Sequence, residues 1–167
     1  AYDNTAVVAD DFSILCASRG AIEVYDGTQI EIDGLTASDI GGVEAIAGYN
    51  ESTIIISDLV MENSDVAIGL DIYDGASLTL SNATLQHTGR DFALTAYGNA
   101  QVDITESTFS GGRGDGLVVY DGANVHMIDS RIGDFAGVGM SAFEANTSVS
   151  TSRTIAHRAI DGEPVPG

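Results

Sequence analysis

Tyr73-Asp74-Gly75-Ala76-Ser77-Leu78-Thr79-Leu80-Ser81-Asn82-Ala83-Thr84-Leu85 is the stretch from which the fold is read. Leu78 and Leu80 alternate with Ser77, Thr79 and Ser81, the two-residue period of a strand with one buried face. Asp74-Gly75 ahead of that strand reads as a sharp corner, because Gly tolerates positive φ at no steric cost. Working outward, the same pattern returns at Tyr25-Asp26-Gly27 and Tyr120-Asp121-Gly122, with close variants at Tyr2-Asp3-Asn4 and Tyr97-Gly98-Asn99. Seven aromatics, Tyr2, Tyr25, Tyr49, Tyr73, Tyr97, Tyr120 and Phe143, follow one another at steps of 23 or 24 residues. A period in the twenties sustained along a whole chain is the signature of a solenoid, one coil per repeat.

Each repeat carries the same apolar positions. Five residues after the aromatic stand Val7, Ile30, Ile54, Leu78, Val102 and Val125; three residues before it stand Ile22, Ile46, Leu70, Leu94, Leu117 and Met140. A third apolar position, twelve after the aromatic, holds Ile14, Met61, Leu85, Phe109, Ile132 and Ile155. Each repeat therefore offers three short strands, and no window has a helical stripe. Successive coils run the same way round, so equivalent strands pair in parallel. The expected fold is all-β, a parallel β-helix (β-solenoid) of about seven coils with three short strands per coil. It occupies residues 1–155 as one domain, with 156–167 as a C-terminal tail or partial cap holding both prolines. The last repeat looks irregular, with Ser148 and Ser150 where apolar residues are due.

The repeats Tyr73–Leu85 and Gly116-Leu-Val-Val-Tyr-Asp-Gly-Ala-Asn-Val-His-Met127 resemble those of right-handed parallel β-helix proteins, with the nearest likeness to pertactin-like autotransporter passenger domains. The resemblance covers residues 1 to about 155 and implies a right-handed coil in a secreted or cell-surface bacterial protein. It is specific for fold and poor for function, because adhesins, tailspikes and polysaccharide lyases share this architecture. An autotransporter also carries a C-terminal membrane barrel, which no segment here resembles. A processed piece or an isolated module is therefore expected, as is removal of a leader before Ala1.

Charge narrows the partners. The chain has 25 Asp plus Glu against six basic residues, all arginine, for a net charge of −19. Such a surface repels phosphate backbones and anionic lipid, which argues against nucleic acid and against membrane insertion. Cys16 is the lone cysteine, which rules out an internal disulfide and reads as a small core side chain.

Three features could carry function. Alternation places the aromatics on the outside, so Tyr25, Tyr49, Tyr73, Tyr97 and Tyr120 form an external ladder, a register-fixing stack or a strip for sugars or an apolar partner. Columns of acidic corner residues (Asp26, Asp74 and Asp121; Asp11, Asp58, Glu106 and Asp129) repel one another and could be relieved by Ca²⁺. Neutral residues interrupt both columns, however, so no metal and no other cofactor is expected. Gln86-His87-Thr88-Gly89-Arg90-Asp91 gathers His, Arg and Asp at one corner. With no repeat longer than 24 residues to build cleft walls, the expectation is a non-enzymatic structural or adhesive module. It would self-associate end to end into filaments, because no cap is evident at the N-terminal coil. The alternative is a carbohydrate-binding or polysaccharide-cleaving module that meets surface glycans through the aromatic strip or the His87–Asp91 corner.

Overall fold

The computed structural model describes residues 5–156, and every strand in it pairs in parallel. Each coil has three faces. The first face is built by Ala6–Leu15, Gln29–Ser38, Thr53–Glu62, Ser77–Ser81, Gln101–Thr105, Asn124–Ile128 and Ser148–Ser152. The first three of these run on around a bend into the second face, which continues as Thr84–Gln86, Thr108–Ser110, Arg131–Gly133 and Ile155–Ala156. The third face comprises Ile22–Val24, Gly41–Gly48, Asp65–Ile72, Phe92–Ala96, Asp115–Val119 and Met140–Ala142. Two faces thus have seven rungs and the third has six, which makes about six full turns rather than seven. No helix occurs among the described residues.

Register follows the repeat. Val7, Ile30, Ile54, Leu78, Val102, Val125 and Val149 pair in succession up the first face. Val149 stands six residues after Phe143 rather than five, so the last coil carries one extra residue at its corner. Ile155, which the spacing places in the third apolar column, pairs with Arg131 and is exposed while Ala156 pairs with Ile132. The irregularity expected there is a local insertion, not an exit from the coil. Most of the expected tail, residues 157–167, lies outside the described residues, as does Tyr2.

The corners explain how so short a repeat turns three times. Each corner is a column of residues with positive φ. Cys16, Asp39, Asn63, His87, Gly111 and Asp134 form one, with φ between 51° and 73°. Asp11, Gly34, Asp58, Asn82, Glu106, Asp129 and Arg153 form another. Asn and Asp tolerate this region better than other side chains, which accounts for their frequency at the corners. The amide at each such corner is free to reach along the axis: Asn63 N–H donates to the Gln86 carbonyl at 3.1 Å and His87 N–H to that of Ser110 at 3.0 Å. Cys16 is exposed on this corner column, not buried in the core.

The interior is filled by stacked aliphatic columns. Ile32, Ile56, Leu80, Ile104 and Met127 are all essentially inaccessible, as are Leu59, Met61, Leu70 and Ile72. One buried column is of small residues: Thr28, Ser52, Ala76, Ala100 and Ala123. The Thr28 and Ser52 hydroxyls have no hydrogen-bond partner among the described residues. An unsatisfied buried hydroxyl costs stability, and three neighbouring coils use Ala at this position. Ser52→Ala is therefore expected to raise the unfolding free energy by about 1 kcal/mol, read from urea denaturation; a loss of stability would show the hydroxyl to be in use.

Acidic columns are neutralised within the coil stack. The Asn50 amide donates to Asp26 at 2.9 Å, and Ser57 to Asp33 at 2.7 Å. Asn82 donates to Asp58 across the next pair of coils. The Arg153 guanidinium donates to Asp129 at 2.6 Å and holds that carboxyl below its ordinary range. A donor placed between carboxylates of successive coils lessens their mutual repulsion. Among the described residues no group of three or more His, Cys, Asp or Glu is placed to hold a metal ion.

A candidate ligand-binding corner and the tyrosine column

Between the second and third faces, the loops of three successive coils line an open cavity of about 460 Å³. Asn63, Ser64 and Asp65 come from one coil, His87, Gly89 and Arg90 from the next, and Gly111 and Arg113 from the third. The repeat alignment explains the convergence. Arg90 and Arg113 stand seven residues before Tyr97 and Tyr120, so they occupy one position in adjacent coils.

Two glycines shape the corner. A Cβ on Gly111 would lie 2.8 Å from Cδ2 of His87, so the imidazole rests directly over a residue with no side chain. A Cβ on Gly89, at φ 85°, would meet the Phe92 carbonyl oxygen at 2.0 Å, so only glycine permits the tight turn that delivers Arg90. Beneath them Thr88 is buried, with its hydroxyl donating to the Gln86 carbonyl at 3.2 Å.

The polar groups around the cavity are open to ligand. Arg90 Nη1 lies 4.0 Å from Asp65 Oδ2, and Arg113 Nη1 lies 4.0 Å from Asp65 Oδ1. Both distances exceed the 2.7–2.9 Å of a charge-assisted hydrogen bond. Arg113 and Asp65 are largely solvent-exposed and Arg90 is about half exposed.

The tyrosine column exists as an aromatic ladder on the outside of the corner between the third and first faces. Ring centroids are 4.3 Å apart for Tyr25 and Tyr49, 4.7 Å for Tyr73 and Tyr97 and 4.8 Å for Tyr97 and Tyr120, all stacked nearly parallel. Tyr49 and Tyr73 meet edge to face at 4.4 Å. Stacking at the coil repeat turns most ring faces toward neighbouring rings. Tyr49 is buried and the other four are half-buried. Burial raises the Tyr49, Tyr73, Tyr97 and Tyr120 hydroxyls above their ordinary range, so they stay protonated.

One group on the third face was not legible as special. Simple alternation back from the tyrosines puts Asp71 and Thr95 on the outer side with Glu23 and Ser141, yet Asp71 is only 2% exposed and Thr95 only 3%. The Thr95 hydroxyl donates to Asp71 Oδ1. Burial raises the Asp71 carboxyl to about 6, opposed by that hydrogen bond and reinforced by Glu44. Both residues sit two before a tyrosine of the ladder, and the Asp71 charge acts on the hydroxyls of Tyr73, Tyr97 and Tyr120.

The two candidate regions of the sequence thus remain separate, the ladder at one edge of the third face and the His87–Arg113 corner at the other. His126 faces outward, 3.6 Å from Asp103.

Comparison with known proteins bears on the architecture. A solved structure, the crystal structure of the periplasmic alginate epimerase AlgG, superimposes with a TM-score of 0.55 at 9% identity. The alignment covers 92% of this chain and 47% of that one, so the chain spans about half its length. No curated protein matches the chain. That neighbour is an enzyme, so the expectation of a non-enzymatic module gains no support from the likeness. The family profile described as a right handed beta helix region matches residues 2–156, nearly the whole chain, and the chain belongs to that family.

Proposed function

We propose that this chain is a polysaccharide-recognising β-helix module of a bacterial extracytoplasmic protein, with its ligand seated at the His87, Arg90 and Arg113 corner. The observation that carries the reading is the 460 Å³ cavity between the second and third faces, where donors from three coils converge without being closed off by partners. Ligand sites are concave and hold a few convergent polar groups, which describes this corner better than the ladder. The tyrosine rings cover one another, leaving edges and hydroxyls for a sugar rather than open faces. Coils stacked at about 4.8 Å also present equivalent groups at a spacing close to the length of one sugar unit. The periplasmic location and polysaccharide substrate in the neighbour's name support the reading by analogy. An imidazole against the bound sugar is a side chain suited to proton transfer, so processing of the ligand belongs to the same reading.

The test is a panel of bacterial and plant polysaccharides scored for binding and for product formation. Arg90→Ala is expected to weaken binding at least tenfold, about 1.4 kcal/mol, with the circular-dichroism spectrum unchanged. Retention of every polysaccharide bound by the wild type, at equal affinity, would remove the corner from consideration.

A second reading keeps the structural or adhesive role of pertactin-like modules, with end-to-end association as its mechanism. Phe12 in the first described coil and Phe143 in the last are exposed large apolar side chains in columns that neighbouring coils cover. Phe12 lies in the inward column of Leu35 and Leu59 and Phe143 at the end of the aromatic column, which favours burial against another surface. Light scattering on the same preparation separates the readings: a monomer at high concentration argues against self-association.

A further inference from the structure

We infer that the corner selects a sugar bearing an oxyanion, a carboxylate or a sulfate ester, which Arg90 and Arg113 hold in the place Asp65 now occupies. This rests on the polysaccharide reading of the same site and names the chemistry of its ligand. Two of the six arginines in a chain of net charge −19 converge here, one coil apart. They address different oxygens of one carboxylate: Arg90 faces Asp65 Oδ2 and Arg113 faces Asp65 Oδ1. At 4.0 Å each, the carboxylate lies within the field of both guanidinium groups and within hydrogen-bonding distance of neither.

No side-chain hydrogen bond is made by Arg90 or Arg113 among the described residues. Each guanidinium has five N–H donors in a planar fork that matches carboxylate and sulfate geometry. Asp65 is 71% exposed and sits at the start of its strand, free to turn out into water as an external anion enters. His87 and the Asn63 amide border the same volume and offer further donors. Asp65 thereby acts as a resident competitor. It offsets one of the pair's two positive charges and sets a threshold that only a better-placed anion passes.

The experiment is calorimetric titration with a panel of carboxylated and sulfated oligosaccharides, each paired with its methyl-esterified or desulfated counterpart and run beside neutral glycans. The acid form is expected to bind at least tenfold tighter than its uncharged counterpart. The double variant Arg90→Ala/Arg113→Ala should erase that difference. Asp65→Asn should tighten the acid form several-fold while leaving the ester unchanged, a gain that misfolding cannot produce. Whether carboxylated or sulfated ligands show the effect identifies the anion. Equal binding of charged and uncharged forms would overturn the inference while leaving the polysaccharide reading standing. Binding of no glycan in the panel would bring down both.

Discussion

Leu80→Ala is expected to lower the unfolding free energy by about 2–5 kcal/mol. Leu80 is fully buried in the middle of a column that runs Ile32, Ile56, Leu80, Ile104 and Met127 through successive coils. Truncation removes apolar area and leaves a cavity that a solenoid closes poorly, since backbone pairing fixes the coils above and below. A repeat protein's stability is a sum of coil and interface contributions, so a central defect weakens two interfaces at once. Thr79→Ala, one residue away on the outer face, serves as the control and should change stability by less than about 0.5 kcal/mol. Urea unfolding of both variants decides the matter. A loss below about 1 kcal/mol for Leu80→Ala would mean the aliphatic columns do not carry the fold as described.

The same columns are what made the fold legible. A buried position needs the same side-chain type in each coil, so Val7 through Val125 announce themselves by spacing alone. Parallel pairing then follows from topology, without knowledge of any contact. Departures from the pattern were less visible because they arise where the backbone leaves its period. On the third face Ile46 pairs with Leu70 and Glu44 with Ile68, while the residues between them, Ala45 and Gly69, drop out of the ladder. A Cβ on Gly69 would meet the Ala93 carbonyl oxygen at 2.5 Å, so the backbone crowds at this point. Simple alternation fails across that step. Cys16 was misplaced for a related reason: a corner column in the left-handed region takes whatever side chain points away, and hydrophobicity says nothing about it.

The candidate site was half legible. His87, Arg90 and Asp91 lie within six residues and drew notice as a local cluster. Arg113 and Asp65 did not, being 23 residues after and 25 residues before Arg90. The signal that would have found them is the repeat itself, since residues about one period apart are spatial neighbours in any solenoid. The ladder shows the converse limit. Spacing foresaw that the tyrosines stack, yet how much of each ring stays open depends on interplanar angles, which no repeat length encodes.

Asp71→Asn is expected to stabilise the protein at neutral pH by about 3 kcal/mol and to leave its stability below about pH 3 nearly unchanged. Asp71 is 2% exposed, and burial raises its carboxyl from 3.8 to about 6. Below about pH 3 the group is protonated in both the folded and unfolded chains and no penalty arises. Between that point and pH 6 the unfolded chain has released its proton while the folded chain still holds one, so stability falls as pH rises. Above pH 6 both forms are ionised and the penalty is constant. The side-chain carbonyl of Asn can still accept from the Thr95 hydroxyl, which keeps the hydrogen bond while removing the buried charge. Repulsion among the other acidic groups also grows with pH, but it is common to both proteins and cancels in their difference. Urea unfolding of the pair at pH 3 and pH 7 isolates the effect: the stability gap should open by about 3 kcal/mol across that interval. A gap that stays constant would mean Asp71 ionises as readily in the fold as in water, and that the ring column beside it does not exclude solvent.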